Sequence, residues 1–145
     1  MLTGRQVLRA IVLAIAAMLL GVLFTIVWVA LYSAVIAPGQ ELAFYEDYAI
    51  RSAPLIAVVT GLPILFCMGW LMARDMDAGE GARAGAMVGI AYTVIDFLLL
   101  LSLAGPVGIP WGMLALSYGT KIAAGAAGGW VATRNALENA GGDPI

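Results

Sequence analysis

The chain has 145 residues, 63% of them hydrophobic and 11% charged, with a formal net charge of −2 and no histidine. Soluble domains are about 45–50% apolar and about 25% charged, so these charges are too few to coat a water-soluble core. No basic patch exists to meet nucleic acid, the commonest metal ligand and general base is missing, and the single cysteine, Cys67, excludes an intrachain disulfide.

A run of about 18 or more apolar residues has the length of a transmembrane helix. Four such runs appear, at residues 10–36, 53–73, 84–104 and 111–133. They predict an all-α integral membrane four-helix bundle, a single domain over residues 1–145. The first run follows Arg5 and Arg9 and ends at Pro38-Gly39, a helix-stopping pair. A signal-peptide core is about 7–15 residues; this run has 27 (10 to 36) and reads as a retained helix. After it comes "APGQELAFYEDYAIRS", the longest connection, mixing Phe44, Tyr45 and Tyr48 with Glu41, Glu46 and Asp47. It reads as a short helix resting at the bilayer surface, with a cation or ligand vestibule or a partner-docking surface as the alternative.

The second run is bounded by Arg51 and Arg74 and carries Pro63 at its centre. Proline removes one helical hydrogen bond and kinks the helix; Thr60 or a neighbouring helix is expected to satisfy the freed carbonyl. Met68, Met72 and Met76 recur beside Cys67. Such ligands suit Cu(I), but methionine is also an ordinary filler of apolar gaps, and no metal or cofactor is assigned. "RDMDAGEGAR" forms a polar loop, "AGPVGIP" a tight turn, and residues 138–145 a disordered tail.

Basic residues set the orientation. Arg5, Arg9, Arg74, Arg83 and Arg134 share one side if the spans alternate, and only Arg51 falls on the other. The positive-inside rule then puts both termini in the cytoplasm. Trp70 and Trp130 fall near the inner interface, Tyr32 and Trp111 near the outer one.

Two charges lie within the runs. Asp96 is 13 residues after Arg83 and Lys121 is 13 before Arg134 (96 − 83 and 134 − 121). Each is thus roughly 20 Å from the inner boundary, on adjacent antiparallel spans. A lone charge at a helix centre costs about 2.5–3.5 kcal/mol, which favours an Asp96–Lys121 pair. Tyr92 and Thr93 precede Asp96 by one turn, and Ser117 and Tyr118 precede Lys121 likewise; all four are candidate polar support. Gly81, Gly85 and Gly89 share a face with Asp96, and Gly125 and Gly129 share one with Lys121. Small residues let helices approach closely in lipid, so a glycine zipper between the third and fourth spans is expected.

Two roles fit the charges: a structural bridge, or a relay or counter-ion for substrate. A Ser–Lys dyad from Ser117 or Ser102 with Lys121 lacks an oxyanion donor, and no catalytic residue is assigned. The leading expectation is a small transporter or channel-type subunit of the bacterial inner membrane, acting as a homo-oligomer or with a membrane-protein partner. The alternative is a non-catalytic accessory or assembly subunit in which Asp96–Lys121 is purely structural.

Overall fold

The computed structural model describes residues 3–77, 79–104 and 111–140. Every described element is helical: α1 (Gly4–Leu31), which continues into a π-helical turn (Tyr32–Ile36), then α2 (Leu42–Ala73), α3 (Gly81–Ala104) and α4 (Trp111–Ala140). Three segments are long and apolar enough to cross a membrane: Gly4–Ile36, Leu55–Ala73 and Gly81–Ser102. The fourth run does form a long helix, α4, but glycine, Thr120 and Lys121 dilute its hydropathy and keep it out of that set.

Several boundaries differ from the expectation, each for a local reason. Helix α1 starts at Gly4 rather than residue 10, because Thr3 N–H donates to Gln6 Oε1 (2.8 Å) and closes the first turn. Its far end widens, Ala37 N–H reaching back to Tyr32 O (3.0 Å). The chain then reverses at Gly39, whose φ of 80° favours glycine. The anticipated surface helix is not separate. It is the start of α2, one helix of 32 residues, about 48 Å long, against about 30 Å of hydrocarbon. Arg51 is not a boundary either; it pairs within the helix with Asp47 (3.0 Å). Aromatic contacts hold this extension to α1. Tyr48 stacks on Tyr32 with centroids 3.7 Å apart and accepts from Trp28 Nε1 (3.0 Å), while the Tyr45 hydroxyl donates to Ala37 O.

Helix α2 runs through Pro63 without interruption. Thr60 does not serve the carbonyl that Pro63 leaves free; its hydroxyl donates to Ile56 O (2.7 Å) instead. At the other end of the chain, residues 138–140, read as the start of a disordered tail, are the last residues of α4. The remainder of that tail and the "AGPVGIP" turn after Ala104 lie outside the described residues.

Packing is uneven along the bundle. Helices α2 and α3 each contact both α1 and α4. All buried side chains and glycines among the described residues fall within 10–17, 61–89 and 121–133. The core at this end joins Ala10, Ala14 and Ala17 of α1 to Leu65, Met68 and Met72 of α2, Val88 of α3 and Ala132 of α4. Its tightness comes from glycine. A Cβ on Gly125 would lie 2.6 Å from the Gly85 carbonyl oxygen, and one on Gly85 or Gly69 would overlap the carbonyl of Gly125. Gly81 and Gly129 meet likewise, Gly89 abuts Ile122, and Gly128 meets the Phe66 backbone. Arg9 closes this end, donating to Leu71 O (2.8 Å) and pairing with Asp75 (3.3 Å). Beyond Gly61, Gly89 and Lys121 the helices bury no further residue among the described ones.

Gly125→Ala is therefore expected to destabilise the bundle by about 1–3 kcal/mol through overpacking. Gly119→Ala, where a Cβ meets nothing within 4 Å, is expected to be neutral or mildly stabilising. Thermal unfolding of the detergent-solubilised variants checks the pair.

Candidate functional site

The charged residues sit where the tight half of the bundle gives way to the loose half. Lys121 is the first buried residue of α4 and is only 4% exposed. Its stem passes Gly61 of α2, where an added Cβ would lie 3.3 Å from Lys121 Cε, so glycine there makes room for the lysine. The ammonium lies over two tyrosine faces, 4.8 Å from the Tyr92 centroid and 5.7 Å from that of Tyr118. A desolvated cation over an aromatic face gains about 2 kcal/mol, which offsets part of the cost of burying it.

Asp96, on α3, is half-buried. It accepts a hydrogen bond from the Tyr118 hydroxyl at 2.9 Å. Asp96 and Lys121 make no salt bridge within 4.0 Å, so the direct ion pair expected from their equal depth is replaced by a four-residue cluster. Helical spacing explains the substitution. Tyr92 is one turn before Asp96 and Tyr118 nearly one turn before Lys121, on the same faces. Tyr118 serves both charges: its hydroxyl donates to the carboxylate and its face receives the ammonium.

Not every anticipated partner joins. Thr93 donates to the carbonyl of Gly89 on its own helix (2.8 Å). Ser117 contributes its carbonyl to Thr120 (2.9 Å), and Ser102 donates to Leu98 O. Of the sulfur residues, Met72 is fully buried in the apolar core and Cys67 is exposed. Pro63 lies with Cys67 along a lateral groove between α1 and α2.

A cavity of about 290 Å³ opens beside the cluster. Its walls are α1 from Ala17 to Ile26 and α2 from Ala53 to Leu65, with Tyr92 and Asp96 of α3 closing the third side. Thr25 and Thr60 also line it, but their hydroxyls donate to Gly21 O and Ile56 O of their own helices. Lys121 is not on the wall. The cavity thus meets one carboxylate in a mostly apolar lining that also carries Thr25, Thr60 and Tyr92. Comparison of the chain with known protein families, curated proteins and solved structures gives no match.

Sequence reasoning missed Gly61, Gly69 and Gly128, all of which face α4 or α2. The eight-residue interval from Gly61 to Gly69 and the Gly128-Gly129 doublet were the available signals, since eight residues return a helix close to the same face.

Tyr118→Phe removes the donor to Asp96 and is expected to cost about 1.5–3 kcal/mol, the range for a hydrogen bond to a charged group. Thr93→Val is expected to change stability by about 0.5 kcal/mol or less. Reversible denaturant unfolding in detergent distinguishes them.

Proposed function

We propose that this chain is a polytopic protein of the bacterial inner membrane that crosses it four times, with both termini in the cytoplasm. We propose further that it works as a transporter or channel-type subunit, as an oligomer or with a membrane-protein partner. The observation that carries this reading is the cavity reaching the Asp96 carboxylate. Ionisable residues within membrane spans are scarce, and they mark ion and substrate pathways. A dry, direct contact between Asp96 and Lys121 would have argued for a purely structural bridge; the carboxylate instead has one side on Tyr118 and another on open space.

The four-span reading is supported by the length of α4 and by its glycine contacts with α2 and α3. The orientation is supported by the Arg9–Asp75 contact, which joins the start of α1 to the end of α2. Arg74, Arg83 and Arg134 are exposed, and Arg134 packs over the exposed ring of Trp130, as suits an interface. Four helices enclose little volume, which is the reason for proposing an assembly.

A second reading, that of an accessory subunit held in register by its buried charges, is favoured by one feature: Lys121 is enclosed and does not line the cavity. The two readings separate in liposomes. Under the transport reading, protein reconstituted with a pH-sensitive dye inside is expected to conduct protons or to exchange a cation for them, and Asp96→Asn is expected to abolish the flux while unfolding normally. Full flux in Asp96→Asn sinks this reading.

Water access gives an independent expectation. In a Cys67→Ser background, Thr25→Cys on the cavity wall is expected to react faster with a membrane-impermeant thiol reagent than Leu116→Cys on the exposed face of α4, because the reacting thiolate forms only where water reaches it. Equal rates would mean that the cavity is dry.

A further inference from the structure

We propose that the cavity between α1, α2 and α3 binds a small hydrophobic ammonium ion, its cationic head at the Asp96 carboxylate and its apolar body along α1 and α2. The inference deepens the transport reading and rests on it for biological meaning, but the site itself stands on its own geometry.

Size is the first argument. At about 290 Å³ the cavity lies at the lower end of small-molecule sites, which run about 300–1,000 Å³. It is larger than a bare metal ion or a hydronium needs. It also extends along α2 from Leu65 to Ala53, 12 residues (65 − 53), or about 18 Å. An elongated ligand fits such a slot.

The chemistry of the wall is the second. A desolvated metal ion needs several oxygen ligands, yet the lining offers only one carboxylate. The Thr25 and Thr60 hydroxyls donate to carbonyls of their own helices, so they offer no hydrogen-bond donor to a ligand, only oxygen acceptors that suit a cation. Ala17, Ala57, Gly21 and Gly61 make the slot smooth and wide, while Ile64 and Leu65 add apolar surface. Such a wall rejects a hydrated ion and accepts methyl and methylene groups at about 0.8 kcal/mol for each CH₂ buried. A carboxylate at one point then selects a single positive charge, and the adjacent Tyr92 ring, already an ammonium platform for Lys121, suits a quaternary head.

The position of Lys121 is the third. Its ammonium is lodged behind the wall against Tyr92 and Tyr118 rather than on the carboxylate. The cavity-facing side of Asp96 is therefore left to an incoming cation.

The test is equilibrium binding of benzyltrimethylammonium to the detergent-solubilised full chain, followed by calorimetry or by protection of Thr25→Cys (in Cys67→Ser) from thiol reagent. The comparison ligand is neopentylbenzene, in which an uncharged carbon replaces the nitrogen. Expected are saturable binding of the cation and binding of the neutral isostere weaker by roughly tenfold or more, as for loss of one partly buried charge contact. Asp96→Asn should weaken cation binding by a similar factor and leave the neutral ligand unaffected, and Asp96→Glu should retain it. Gly21→Leu, placed where an added Cβ meets nothing within 4 Å, should block both ligands without disturbing the fold, and it keeps the test decisive if Asp96→Asn does not fold. Equal affinity for the charged and neutral ligands, or binding undiminished by Gly21→Leu, overturns the proposal. Proton flux in liposomes without ammonium binding overturns it while leaving the transport reading intact. Binding without any flux upholds the site and removes transport as its purpose.

Discussion

Everything else in this fold depends on the backbone contact of α4 with α2 and α3 at Gly125. Gly69 and Gly85 both meet that residue, and a single methyl on any of the three would collide with backbone. In lipid the hydrophobic effect does not drive helices together, since the tails are as apolar as leucine; close packing must do so. Glycine supplies it here at the cost of side-chain volume. The consequence is a core of few large side chains, with Leu65, Met72 and Val88 the bulkiest fully buried ones.

The same contact explains why the bundle is tight at one end and open at the other. Glycine and alanine line the facing surfaces around residues 10–17, 69–89 and 125–133, and there the helices close. Farther along, Tyr92 and Tyr118 lie around the buried lysine instead. Lys121 and Asp96 occupy the transition. A buried charge is tolerated where a partner is at hand, and Tyr92 and Tyr118 are the partners here. Tyr118 serves both charges at once.

The far end is held differently. Tyr48, Tyr32 and Trp28 clasp the long first part of α2 to α1. At this end α1 and α2 are therefore held together by aromatic contacts, with no buried residue among the described ones. An opening that needed the whole glycine seam to part would be far costlier than one that moves α1, which meets its neighbours through Ala10, Ala14 and Ala17 and through this aromatic clasp.

Much of this was legible in the residues. Low charge and long apolar runs predicted the helical class and helices long and apolar enough to cross a membrane, because such a helix satisfies every backbone polar group within itself. Counting from Arg83 and Arg134 put Asp96 and Lys121 at one depth, since helical rise is fixed at about 1.5 Å per residue. The third helix's glycine row could be read for the same reason. Rotation about the helix axes, by contrast, is set by packing between helices and has no local signature. So only the tertiary structure decided that Tyr118 contacts both charges, that α4 uses its glycines against α2 as well as α3, and that the acid lines a cavity from whose wall the base is absent.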